Sequence, residues 1–126
     1  MKKADDPRLA QVTAICLALP EVMRTDLGQH ASFAVHKKKF VYFLNDHHGD
    51  GIVSLCAKAL PGENNALVAG HPRKFYLPAY VGPRGWVGLR LDRGKIDWEE
   101  VRDLVTASYL QVAPKRLAAQ VEEALG

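Results

Sequence analysis

Side chains able to do chemistry fall in three places along this sequence. The loop NDHHGDG, Asn45 to Gly51, gathers Asp46, His47, His48 and Asp50. Carboxylates and imidazoles are metal ligands, but a site needs them spaced so that they converge on one ion. Adjacent histidines leaving a strand do not converge, and no spaced partner motif follows. Gly49 and Gly51 suit the positive φ of a tight turn, so a turn is expected, and neither a metal nor another cofactor is assigned. His71 is the best general base by type, and Ser108 and Tyr109 are the best hydroxyls. Catalysis requires nucleophile, base and orienting group to meet, and nothing in the spacing joins these three. A histidine between Gly70 and Pro72, just past a helix, is better read as holding the turn. No catalytic residue is assigned.

The third place is basic and aromatic. The stretch HPRKFYLPAYVGPRGWVGLRLD, His71 to Asp92, holds three prolines, four aromatics, two lysine or arginine pairs' worth of cations and a single acid. Across the chain the net charge is +3, unevenly spread: residues 71–95 carry 6 Lys/Arg against 1 Asp/Glu, and residues 96–126 carry 3 against 6. A further basic run, His36 to Lys39, sits between two strand-like segments. Such cations suit phosphate contacts, and exposed rings beside them suit base stacking. GPRG, Gly82 to Gly85, lacks the preceding strand and following helix of a phosphate loop and reads as a turn.

These residues need a scaffold. A chain of 126 residues, 48% hydrophobic and 25% charged, suits one globular domain spanning 1–126. No apolar run approaches the length of a membrane span, and MKKADDPRLA lacks the apolar core of a signal peptide. A cytoplasmic protein that does not engage membranes is expected, more readily a monomer than an oligomer. Cys16 and Cys56 lie in apolar patterns and read as core thiols.

The periodicities give the elements. Asp6 caps a first helix with Pro7 at its first position, and Leu9, Val12, Ile15, Cys16 and Leu19 form its apolar stripe, ended by Pro20. Strand character follows at Val22 to Asp26, Ala31 to Val35, Lys39 to Leu44 and Ile52 to Ala57, with a hairpin turn at His36 to Lys38. A short helix spans Glu63 to Ala69. In the last strand Val87, Leu89 and Leu91 alternate with Trp86, Gly88 and Arg90, which places Trp86 and Arg90 on one surface, close enough for a cation–π contact. Asp97 with Glu100 makes a capping box for a helix whose stripe runs through Trp98, Val101, Leu104, Val105 and Ser108. Pro114 opens the final helix. The fold class is therefore α+β: two layers, an antiparallel sheet of about five strands, and helices on one face.

Two long runs, LVAGHPRKFYLPAYVGPRGWVGLRLD and IDWEEVRDLVTASYLQVAPKRLAA, resemble the MmcQ/YjbR family of small bacterial proteins, over nearly the whole chain. The resembling positions are His71, Pro72, Phe75, Pro78, Tyr80, Gly85, Trp86, Trp98, Ser108, Tyr109, Pro114 and Lys115. Where many relatives end the fourth strand in Leu-Lys, this chain has Leu55, Cys56, Ala57 and Lys58. The resemblance implies a double-wing, secretion-chaperone-like domain, and it carries the family's label of DNA-binding protein. On that basis the leading expectation is weak, backbone-directed binding of nucleic acid, DNA above all. Lys37, Lys38, Lys39, Arg73, Lys74, Arg84, Arg90 and Lys115 would hold phosphates, with Tyr80 and Trp86 against bases or sugar. The alternative is a non-enzymatic domain that binds a protein or small ligand in an aromatic pocket around Phe75, Tyr80 and Trp86. An enzyme ranks third, for want of an assembled triad or metal set.

Overall fold

The computed structural model describes residues 6–125; most of the MKKADD run lies outside them. Asp6 caps α1 (Pro7–Leu17) by accepting from the Arg8 amide, and Leu9, Val12, Ile15 and Cys16 are buried along its inner stripe. Six strands follow: β1 (Val22–Leu27), β2 (His30–Val35), β3 (Lys38–Asn45), β4 (Val53–Lys58), β5 (Phe75–Tyr76) and β6 (Trp86–Arg90). Helix α2 (Glu63–Gly70) lies between β4 and β5, and α3 (Trp98–Val112) and α4 (Lys115–Leu125) complete the chain. All neighbouring strands are antiparallel, in the order β1-β2-β3-β4-β6-β5. The sheet thus has one strand more than the patterning predicts. β5 is two residues long and sits outside β6, so the chain passes over the place of β6 before returning to fill it.

The β2–β3 turn is a two-residue loop with positive φ at both His36 and Lys37, the backbone handedness that matches strand twist. One face of the sheet carries Phe33, Val35, Val41, Phe43, Leu55, Ala57, Val87 and Leu89 into a core shared with α1, α3 and α4. A register shift opposite Phe33 and Ala34 inserts Phe40 as an extra residue in β3, which is why Phe40 and Val41, adjacent in sequence, are both buried.

That bulge is satisfied from the helical layer. A bulged residue leaves backbone groups outside the ladder, and Ser108 of α3 donates to the Phe40 carbonyl at 2.7 Å while accepting from the Lys58 amide at 3.0 Å. Gln111, one turn on, donates to the Lys58 carbonyl at 2.9 Å. Two side chains of α3 thereby close the β3–β4 ladder where its strand-to-strand bonds stop. The Tyr109 hydroxyl donates to the Pro20 carbonyl, tying the same helix to the exit of α1. Asp97 caps α3 through the Glu99 and Glu100 amides. The Glu100 side chain, expected to complete a capping box, forms an ion pair with Lys74 instead.

No helix among the described residues is long and apolar enough to cross a membrane. Both cysteines are free and buried, and burial pushes both thiols up from their ordinary range.

Candidate functional site

The sheet face away from the main core is built from the side chains that alternate with the core set. Register places Ser32, Tyr42, Cys56, Gly88 and Tyr76 in one row across five strands. The missing side chain at Gly88 organises that row. A β-carbon there would stand 2.3 Å from Tyr76 Cε1 and 2.4 Å from its Cζ, so the phenol ring occupies the space that any other residue would fill. Lying over Gly88, Tyr76 reaches β4, where its hydroxyl meets Ser54 Oγ at 2.7 Å and Cys56 Sγ at 3.6 Å. Burial is the main cause that raises the Tyr76 phenol above its ordinary range.

Over this floor lies a cleft of about 400 Å³, floored by Tyr42, Leu44, Cys56 and Tyr76. One lip is Pro78 to Val81, and the other carries His47, His48 and Asp50. The His47 lip is the turn expected from the sequence. Asp46 Oδ1 accepts from the Gly51 amide, Asp50 Oδ1 accepts from the Ile52 amide, and the His47 and His48 ring centroids stand 3.9 Å apart. Each carboxylate is thus engaged by the loop's own backbone. His71 lies at the turn after α2, where its backbone amide donates to the Leu67 carbonyl and its carbonyl accepts from the Lys74 and Phe75 amides.

The aromatic pocket expected around Phe75, Tyr80 and Trp86 is corrected by this geometry. Phe75 is a core residue at 2% exposure. Trp86 is 8% exposed, with its ring centroid 5.4 Å from that of Tyr42. A covered indole cannot stack on a nucleic-acid base, so Trp86 leaves the contact set. Tyr80 alone of the three lines the cleft, and it is 86% exposed.

The expected cations divide between the two ends of the sheet. At the turn end, where β3 leaves and β4 and β6 meet, Arg90 does not approach Trp86. It forms a two-pronged pair with Asp92, at 3.0 Å on each side, and that hydrogen bonding is the main cause that lowers the Asp92 carboxyl and raises the Arg90 guanidinium. The Lys74 carbonyl accepts from the Arg90 amide, which puts Arg73 and Lys74 at this end too. Lys74 is neutralised by Glu100; Arg73 is exposed. Of the three expected cations at this end, Lys74 and Arg90 are paired with acids and Arg73 is not; Arg93 and Lys95, which line one cavity with them, also have no acidic partner among the described residues.

At the opposite, hairpin end, Lys37, Lys38 and Lys39 are exposed at the β2–β3 turn. Lys39 reaches over the Tyr42 ring, 5.8 Å from its centroid. Register pairs Lys58 with Trp86, so Lys58 lies at this end, and Arg84 enters β6 beside it. Both line a shallow cavity of about 600 Å³ with Asn65 and Gln111 and no carboxylate. Lys115 opens α4, where Arg116 bonds Glu21 and Glu21 bonds His36, which ties the helix start to the hairpin. Among the described residues none of Lys37, Lys38, Lys39, Lys58, Arg84 and Lys115 has an acidic partner. The structure therefore brings together five of the eight expected cations and leaves Arg73, Lys74 and Arg90 apart from them. Lys58 joins the group. The alternation Ser54, Cys56, Lys58 on the non-core face was the sequence signal for it.

Comparison with known proteins gives a consistent picture. No curated protein sequence matches the chain. The crystal structure of Deinococcus radiodurans protein DR2400, described as a DUF419 domain, is similar with a TM-score of 0.67 and 23% identity, covering 82% of this chain and 77% of that one. At that identity the likeness speaks for the fold. A family model described as YjbR matches residues 17–111, a span that holds all six strands, the Gly88–Tyr76 row and the Ser108 clip. With most of its length inside that match, the chain belongs to the YjbR family.

Proposed function

We propose that the protein binds nucleic acid weakly through the phosphate backbone, using the hairpin end of the sheet. The observation that carries this reading is the gathering of Lys37, Lys38, Lys39, Lys58, Arg84 and Lys115 from separate elements, none with an acidic partner among the described residues. Unpaired cations on one end give a local positive field that a modest net charge of +3 conceals. Phosphate contacts fix position and carry no sequence information, so the binding is sequence-tolerant. If about five cations meet phosphates, the log–log salt slope is about −4 to −5, with dissociation constants of about 10⁻⁴ to 10⁻⁶ M.

Fluorescence anisotropy with a labelled DNA duplex at about 50 mM and about 200 mM salt tests this. The double variant Lys37→Glu, Arg84→Glu should abolish binding, and Arg73→Glu, at the other end, should leave most of it. Binding absent at the lower salt, or equal in the double variant, removes the reading.

A further inference from the structure

We propose that the cleft on the sheet's non-core face binds a small, planar, uncharged heteroaromatic molecule of the kind represented by a purine base. The site adjoins the hairpin end through Tyr42 and Pro78 but is lined by none of that end's cations, and it does not depend on nucleic-acid binding there.

Three observations carry the assignment. The first is shape and lining. A volume of about 400 Å³ falls among small-ligand pockets, and Tyr42, Tyr76, Tyr80, His47 and His48 supply five rings among its eleven lining residues. Ring faces reward a flat partner through offset or edge contacts, and an aliphatic chain gains nothing from them beyond area. The second is charge. Asp50 is the one carboxylate among the lining residues, and no lysine or arginine lines the cleft. An anionic ligand, or the phosphate of a nucleotide, finds no counter-charge among the lining residues; Lys39 lies over the Tyr42 ring without lining the cleft. What the walls do offer is hydrogen bonding at the edge formed by the 47–50 lip, from the His47 and His48 imidazoles and from Asp50, whose Oδ1 already accepts from the Ile52 amide; the Tyr76 hydroxyl, in the floor, is paired with Ser54. Ring nitrogens and an exocyclic amine answer that edge.

The third observation is backbone strain in the Pro78 to Val81 lip, where Tyr80 holds φ of 66°; Asp46 and His48, at 56° and 55°, belong to the turn opposite, and aspartate and histidine adopt that region more readily. His36 and Lys37 share the left-handed region because their hairpin demands it, but a bulky residue such as Tyr80 adopts it at a cost. Its ring is 86% exposed, so no burial in the fold offsets that cost. Strain of this kind gathers at ligand clamps. Pro78 and Gly82 hold the lip in place, the Gly82 amide donating to the Pro78 carbonyl at 2.8 Å, so the Tyr80 ring stands at the cleft mouth where a bound ring would cover it.

The test titrates adenine into the full, isotopically labelled chain and follows amide shifts, with uncharged 1-hexanol as an aliphatic comparison. Saturable shifts centred on residues 42–50, 56 and 76–81 are expected, with a dissociation constant of about 0.1–1 mM for so small a probe. Tyr80→Ala, at an exposed position that leaves the core untouched, should weaken adenine at least about tenfold, whereas Lys37→Glu with Arg84→Glu should leave it unchanged. That last arm separates this site from the hairpin end. No approach to saturation by about 5 mM adenine, shifts centred elsewhere, equal affinity in Tyr80→Ala, or 1-hexanol taking the cleft in place of adenine each overturns the proposal.

Discussion

Gly88→Ala is the smallest substitution that tests the floor of the cleft. The new β-carbon would lie 2.3, 2.4 and 2.8 Å from three atoms of the Tyr76 ring, against about 3.5–4.0 Å for carbon atoms at rest. The ring must therefore withdraw by more than about 1 Å. It cannot do so freely, because Tyr76 is half of a two-residue strand whose other member, Phe75, is fixed in the core. Overpacking of this kind costs about 1–3 kcal/mol, and loss of the Tyr76–Ser54 hydrogen bond adds about 1 kcal/mol. The sum, about 2–4 kcal/mol, lowers the melting temperature by about 10 °C for a chain of this length. Urea denaturation followed by far-UV circular dichroism measures it. The informative arm is the same change made in a Tyr76→Ala background. There the clash is gone, Gly88 has no positive φ to preserve, and alanine in a strand is favoured over glycine by about 0.5–1 kcal/mol. The sign of the effect should invert. A Gly88→Ala cost that is equal in both backgrounds, or absent from the parent, refutes the claim that Tyr76 occupies the place of a side chain.

Two further outcomes follow from groups with defined partners. Ser108→Ala leaves the Phe40 carbonyl and the Lys58 amide without their bridge and should cost about 1–3 kcal/mol in urea denaturation, with an increase in hydrogen exchange at the Lys58 amide; unchanged exchange there would show the bulge satisfied by other means. His30 Nδ1 accepts from the Asn45 amide at 3.0 Å, and burial, then the nearby His47, lower its pKa from 6.5. Because the folded value lies below the unfolded one, this contribution to stability is present above about pH 6.5 and is lost as pH falls toward the folded pKa. The His30 ring resonances should titrate below 6.5, and the urea midpoint of His30→Gln should vary less across that interval than the parent's; a ring titrating at or above 6.5 counts against it.

What could be read from the sequence was local. The caps at Asp6 and Asp97, the alternation of Val87, Leu89 and Leu91, and the core cysteines all depend on neighbours within a turn or a strand, where periodicity and capping chemistry are strongest. β5 was not visible because two residues between Pro72 and Pro78 have no period, and its partner β6 comes later in the chain. The covering of Trp86 depended on Tyr42, a residue 44 positions earlier, and no local pattern encodes that pairing. The fate of Arg90 was nearer to hand. Arg90 and Asp92, like Arg24 and Asp26, are two apart, a spacing that in a strand puts both side chains on one face, and both pairs form ion pairs. That spacing alone marks Arg90 as a neutralised cation. Lys58 was the converse case, an intermediate residue whose face was set by strand alternation.

The two candidate sites stand in opposite relation to stability. The hairpin-end lysines are exposed and make no ion pair among the described residues, so charge reversal there acts on the local field and leaves core packing intact; surface changes of this sort stay within about 0.5 kcal/mol. The cleft is different, since its floor is the Gly88–Tyr76–Ser54 arrangement that also holds β5 to the sheet. A variant in that floor changes binding and folding together, and only the lip, Tyr80 above all, can be altered with the fold left whole. Experiments on the hairpin end can therefore take the largest available charge changes, while those on the cleft must be made from its rim inward, with stability measured at each step.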